Sequence, residues 1–167
     1  MRRFAILFVV ILVTLFALEL TPPGQAIVIP WTNLVATSSA GIIRAFDGDA
    51  RSEGKTLYSQ KTGFGVTIEA GCNGVEAMIV LLAGILAFPA PWKLKLAGLA
   101  IGAVAIQALN LVRIVSLFYI GQWNRDVFEW AHLYAWQVLI MLDALIVWLL
   151  WLKTLPRRPS LPAATAG

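Results

Sequence analysis

The chain has 167 residues, 59% of them hydrophobic and only 13% charged, with a net charge of +4. Soluble domains average about 45–50% apolar and about 25% charged, so this composition belongs in lipid and excludes an ordinary soluble domain. The positive charges gather at the chain ends and in one short loop, which suits membrane orientation and argues against nucleic-acid binding. A single cysteine excludes an internal disulfide and any multi-cysteine metal site.

Four runs approach the roughly 20 apolar residues a spanning helix needs. The first is Phe4–Leu20, flanked by Arg2 and Arg3. A basic start, an apolar stretch and Gly24-Gln25-Ala26 also fit a cleavable signal peptide, although the stretch is long for one and Glu19 and Pro23 precede the cut. Ala26–Phe46 mixes apolar residues with Thr, Ser and Asn and is expected to form a helix lying on the membrane. Asp47–Gly54, rich in charge and glycine, is expected to be a turn, and Thr56–Ile68 a short hairpin around Gly63 and Gly65. The second run is about Cys72–Phe88, closed by Pro89 and Pro91; the third is about Leu94–Ile120; the fourth is about Trp130–Leu152. The tail from Pro156 to Gly167 is rich in proline and alanine and is expected to be disordered.

The expected fold is an all-α integral membrane protein with about four transmembrane helices. Residues 1–20 form the N-terminal helix, 21–71 an extracytoplasmic segment, 72–152 a three-helix membrane core and 153–167 a cytoplasmic tail. Arg2 and Arg3, Lys93 and Lys95, and Lys153, Arg157 and Arg158 then share one side, which the positive-inside rule assigns to the cytoplasm. The segment 21–71 and the loop 121–129 face outward. Trp31, Trp123, Trp130, Trp148 and Trp151 fall near the expected interfaces.

Three residues are out of place in such helices. Cys72, the only cysteine, opens the second span within Gly71-Cys72-Asn73-Gly74, where free N–H groups and the positive end of the helix favour a thiolate. The flanking glycines permit close approach of another backbone. Arg113 lies inside the third span, where a charge is costly and marks a functional candidate, and Asn110 shares its helix face. His132, the only histidine, sits in the first turn of the fourth span. Each alone has a plain reading: a small packing residue, a snorkelling arginine, an interfacial histidine. Together they fall on one side of the bilayer on three different helices, whose ends a small bundle brings together. Glu76, one turn below Cys72, is expected to orient Arg113 or satisfy a polar cluster. Asp143, deeper in the fourth span, reads as structural, paired with Gln107 or backbone.

The set Cys72-Asn73-Gly74, Asn110-Leu111-Val112-Arg113-Ile114 and His132 resembles the exosortase/archaeosortase family of membrane transpeptidases in order, span placement and spacing. The likeness covers roughly residues 66–152 and is most like the compact exosortase H-type branch. It implies a bacterial inner-membrane enzyme with cytoplasmic termini and an outward-facing site. Its substrates would be exported proteins with a C-terminal signal made of a short motif, a transmembrane helix and a basic cluster. Membrane lipid is the other partner; nucleic acid, metal and cofactor are not expected. Cys72 would form a thioester, His132 move protons and Arg113 stabilise the oxyanion, with Asn110, Asn73 and Glu76 in support. Paired cysteines for thiol oxidoreductase chemistry and a Gly-x-Ser-Gly nucleophile are both missing. Acyl transfer to a lipid stays open, as does a non-enzymatic membrane protein such as an assembly factor or transporter subunit.

Overall fold

The computed structural model describes residues 2–156. Most of the expectation for the C-terminal tail, with Arg157 and Arg158, therefore lies outside the described residues. Six α-helices and three short strands follow in the order α1 (Arg2–Glu19), α2 (Pro22–Phe46), β1 (Ala50–Glu53), β2 (Thr56–Ser59), β3 (Gly65–Thr67), α3 (Val75–Ala87), α4 (Trp92–Trp123), α5 (Arg125–Trp130) and α6 (Trp136–Lys153). A π-helical turn, Ala131–Ala135, joins α5 to α6 without a break. Among the described residues three helical stretches are long and apolar enough to cross a membrane: Pro22–Phe46, Trp92–Trp123 and Arg125–Lys153.

Helices α1, α3, α4 and α6 pack side by side. Phe4 at the start of α1 stacks on Trp148 and meets Phe88 edge-on, so α1 runs opposite to α3. The bundle core is Ala77, Leu81, Ile85, Ile106, Ile140, Ala144 and Trp151. Small residues on one helix receive large ones from another: a Cβ at Gly84 would press on Trp148, at Gly98 on Trp151 and at Gly102 on Leu81. Close packing of this small-against-large kind is how helices associate where lipid supplies no hydrophobic drive. At the α3–α4 corner, Phe88-Pro89-Ala90-Pro91 stops one helix, and Lys95 Nζ donates to the Leu86 carbonyl at 2.7 Å. A cation there satisfies an orphan carbonyl at the negative end of α3.

The other end of the bundle carries a cap. Thr21 opens α2, its hydroxyl accepting from the Gly24 N–H, with Pro22 in the first turn where no donor is lost. Gly24 fits directly over the Leu18 carbonyl, where a Cβ would collide, and this lets α2 leave α1 with scarcely a loop. Buried residues at Thr32, Val35, Ala36, Ser39, Ala40 and Ile43 form one helical stripe. The stripe packs on Ala50, Leu57 and Ile68 of the sheet region and on Ile114 and Phe118 of α4, making a second core.

The all-α expectation needs correction, because strands β1-β2-β3 form an antiparallel sheet. The hairpin expected over 56–68 corresponds to β2 and β3, paired Leu57↔Val66. The turn expected over Asp47–Gly54 ends early and yields strand β1. Asp47 Oδ1 accepts from the Asp49 N–H to make the turn, and the buried Asp49 carboxylate then accepts from Ser59 Oγ at 2.6 Å and the Lys61 N–H at 2.8 Å. Arg51 and Glu53 face solvent on an edge strand, where charge discourages further pairing, so the charge that suggested a loop belongs to an exposed strand face. The loop expected over 121–129 is also mostly helix. Asn124 alone breaks the chain, ending α4 and capping α5 through the Val127 N–H.

Candidate functional site

The site lies where cap meets bundle. Helix α3 begins at Val75, three residues later than the expected span, because Gly74 adopts a left-handed φ of +78° at its N-cap. At about 1.5 Å per residue the helix is roughly 20 Å long, short of the roughly 30 Å hydrocarbon core. The turn Glu69–Gly74 continues where the helix stops. Irregular backbone near lipid must be satisfied by protein groups, and several backbone groups of this turn are. The Cys72 N–H donates to the Glu69 carbonyl at 2.9 Å. The Gly71 N–H donates to the Glu76 carboxylate and the Gly71 carbonyl accepts from Arg113 Nη1 at 2.9 Å. The Asn73 carbonyl accepts from Trp31 Nε1 and Gln107 Nε2. The Asn73 side chain donates to Thr32 Oγ1 at 3.1 Å and accepts from the Val75 N–H at 3.0 Å.

This network presents Cys72 in a fixed place. Its Sγ is 3.0 Å from His132 Nε2 and 3.4 Å from Arg113 Nη2. Cys72 sits before α3 rather than in its first turn, so the expected assistance of the helix N-terminus, which fades within one turn, is replaced by a guanidinium in direct contact. Arg113 is 1% exposed and forms no ion pair among the described residues. Its guanidinium donates to the Gly71 carbonyl and the cysteine sulfur; burial pushes the Cys72 thiol up, and the Arg113 charge opposes that rise. The expected alignment of Arg113 by Glu76 takes an indirect form: both hold the same residue, Gly71, from opposite sides.

His132 occupies the π-helical turn between α5 and α6. A π-bulge inserts a residue into the helical ladder and re-aims the side chains beside it. Phe128, one turn earlier, stacks on the imidazole with centroids 5.6 Å apart and planes at 17°. A cavity of about 290 Å³ opens over the three residues, walled by β3, Leu117 and Phe128.

Asn110 is fully buried, yet neither its Oδ1 nor its Nδ2 has a partner among the described residues, so it does not bond Arg113. Asp143 is not bonded to Gln107, whose amide donates to Asn73 instead; Asp143 Oδ2 and Gln107 Oε1 are without partners among the described residues. Phe128, Gln107 and Thr32 were not foreseen at the site, and Gly71 was expected there for close approach of another backbone, not as the acceptor for Arg113. Phe128 lies four residues before His132, a helical spacing that could have revealed it; nothing in the sequence signals the long-range contacts of Thr32 and Trp31. Among the described residues no group of three His, Cys, Asp or Glu side chains converges to hold a metal.

A thiol, an imidazole and a guanidinium in mutual contact can activate sulfur for attack on a carbonyl and move protons around it. No curated protein and no solved structure matches the chain. A family model described as transmembrane exosortase (Exosortase_EpsH) matches residues 1–150, a span that includes all three contacting residues, the cap core and the bundle core up to Ala144. The chain is therefore an integral membrane protein belonging to the transmembrane exosortase family, generally regarded as membrane cysteine peptidases acting on exported proteins.

Proposed function

We propose that the protein is a membrane cysteine transpeptidase or protease that cleaves exported proteins bearing a C-terminal sorting signal. The observation that carries this reading is the 3.0 Å approach of Cys72 Sγ to His132 Nε2, with Arg113 Nη2 at 3.4 Å from the same sulfur. The sulfur attacks the scissile carbonyl and its proton passes to His132 Nε2. The C–S bond forms as the carbonyl oxygen takes the negative charge, and Arg113 Nη2 is the donor near enough to stabilise it. The C–N bond then breaks, His132 returns the proton to the leaving amine, and a thioester remains on Cys72. An acceptor nucleophile or water attacks the thioester, gives its proton to His132 and frees the thiol. Asn73 and Glu76 hold the turn in place through their bonds to Thr32, Val75 and Gly71.

Membrane placement follows the same reading. Four spans, α1, α3, α4 and α6, cross the membrane; α2, though long and apolar enough to span, lies outside with the sheet, because its buried stripe packs on the sheet region. Phe4, beside Phe88 and Trp148, brings Arg2 and Arg3 to the end of the bundle where Lys93, Lys95 and Lys153 lie. That end is cytoplasmic by the positive-inside rule. Arg113 lies 18 residues along α4 from Lys95, about 27 Å at 1.5 Å per residue, which brings the site close to the outer interface. A substrate helix anchored by its own basic cluster would present its motif at that level.

The test is co-expression with a tagged exported protein carrying such a signal, comparing wild type with Cys72→Ala. Loss of processing in the variant supports the reading, and Arg113 and His132 are the next substitutions. Equal processing by both removes Cys72 as nucleophile and returns the non-enzymatic membrane protein.

A further inference from the structure

The sheet has one edge turned toward the cysteine. Its strand order is β1-β2-β3, so β3 has a neighbour on one side only. The Ser59 N–H donates to the Phe64 carbonyl and the Ile68 N–H to the Lys55 carbonyl, which sets Phe64, Val66 and Ile68 as the residues bonded to β2. Antiparallel ladders alternate, so the N–H and C=O of Gly65 and Thr67 point the other way. None of these four groups has a hydrogen-bond partner among the described residues. The side they point to is the cavity shared with Cys72, Arg113 and His132, for Gly65–Ile68 forms one of its walls.

Unpaired strand edges are usually blunted by charge, proline or cover, because they invite another chain. Edge strand β1 shows such protection in Arg51 and Glu53; β3 carries Gly65, Val66 and Thr67 and no charge. Phe64 anchors the strand beside the site, packed against Phe118, Phe128 and Gly121, where a Cβ would strike its ring. The edge is thus fixed in position, uncharged and directed at the nucleophile.

We infer that β3 is the substrate-binding strand: an extended segment of the exported polypeptide pairs with the outward N–H and C=O groups of Gly65 and Thr67 as a fourth strand, which lays its scissile bond against Cys72. The inference rests on the peptidase reading and adds how the substrate is held. Main-chain pairing of this kind supplies affinity with little regard to side chains. It therefore makes recognition depend on an extended backbone, with side-chain selectivity left to the walls at Leu117 and Phe128.

Proline at an edge position removes an outward N–H while leaving the inner ladder intact. Thr67→Pro deletes one donor of the edge, and Val66 before it is already extended, as a residue preceding proline must be. Thr67→Val keeps the donor and the β-branched shape while removing the hydroxyl contact to Thr56. The full-length protein in detergent is labelled at Cys72 with iodoacetamide and, separately, with an N-acetyl-trialanyl chloromethyl ketone, which alkylates the sulfur with loss of chloride. Expected are equal iodoacetamide rates in wild type and both variants. The peptidyl probe should react roughly fivefold to tenfold more slowly with Thr67→Pro alone, the worth of about one hydrogen bond. N-methylation along the probe should impair labelling at every second amide, the period of a paired strand. Peptidyl labelling of Thr67→Pro at the wild-type rate, or a wild-type rate no better than the bare alkylator provides, overturns the inference. Processing that survives Cys72→Ala in cells would instead overturn the peptidase reading, so the two failures are separable.

Discussion

The two hydrophobic cores are built differently, and the site occupies the seam between them. The bundle core joins α3, α4 and α6 through small residues that seat large ones, as at Gly84 and Trp148 or Gly98 and Trp151. The cap core joins one face of α2 to the sheet and to the last turns of α4 through a regular stripe, Val35, Ala36, Ala40 and Ile43. On the proposed membrane placement, lipid drives the first little, so contact geometry sets its strength; water exclusion drives the second, as in a soluble domain. Buried polar groups gather at the seam, where Thr32, Asn73, Asn110 and Arg113 are each nearly inaccessible, while those of the cap, Ser39, Asp49 and Ser59, serve its helix and sheet locally. Helix α4 crosses the seam, with Ile106 in one core and Ile114 and Phe118 in the other, and Arg113 falls between them.

If the cores are separable, damage to one should leave the other standing. The largest effect is expected from Phe118→Ala. Phe118 is fully buried in the cap and meets the rings of Phe64 and Tyr119 at 6.3 Å and 5.7 Å. Truncating such a ring costs about 3–5 kcal/mol. Limited trypsin digestion should cut faster at Lys55 and Lys61 while far-ultraviolet circular dichroism in detergent keeps most of its helix. Simultaneous loss of both signals would mean that cap and bundle melt as one unit. Gly98→Val is the counterpart on the other side, placing methyl groups against Trp151 and threatening the Trp151 Nε1 donation to the Leu94 carbonyl at 2.8 Å. Overpacking of this kind costs about 1–3 kcal/mol. Thermal unfolding of the bundle should shift down with cap proteolysis unchanged, and a faster cut at Lys55 would blur the distinction.

The bundle was more legible in the sequence than the cap, for the same physical reason. Apolar runs announce helices in lipid by composition alone, so Leu94–Ile120 falls wholly inside α4 and Phe4–Leu20 differs from α1 only at its ends. The start of α3 was missed by three residues because glycine at 74 permits a left-handed cap that hydropathy does not register. Strand β1 was hidden by charges that belong to its exposed face, and the buried Asp49 that pins it looks from sequence like any turn aspartate. At the site, Cys72, Arg113 and His132 stood out as residue types foreign to their surroundings. The π-turn that aims His132 contains only Ala, His, Leu and Tyr, with no proline or glycine to mark it. The support of Asn73 by Trp31 and Thr32 spans about forty residues of chain and follows from tertiary packing that no local pattern encodes.

The smallest effect sharpens the boundary of the cap. Tyr119 near the end of α4 donates its hydroxyl to Asp47 Oδ2 at 2.7 Å, tying the end of α2 to the long helix. That bond, with the Asp49 N–H on the other oxygen, holds the Asp47 carboxyl below the ordinary aspartate range. A carboxylate stabilised in the fold contributes above its unfolded pKa of about 3.9 and loses that contribution as pH falls through its folded value. Tyr119→Phe removes the hydroxyl without emptying the ring's place. Near neutral pH the variant should be slightly less stable than wild type. The gap should narrow only below about pH 4, as Asp47 takes up its proton. Because Asp47 is fully exposed, salt and water screen the interaction and the difference will be small. No gap at neutral pH would assign the contribution of Tyr119 to its ring against Phe118 and not to the bond with Asp47. The cap would then be closed at this corner by apolar contact alone.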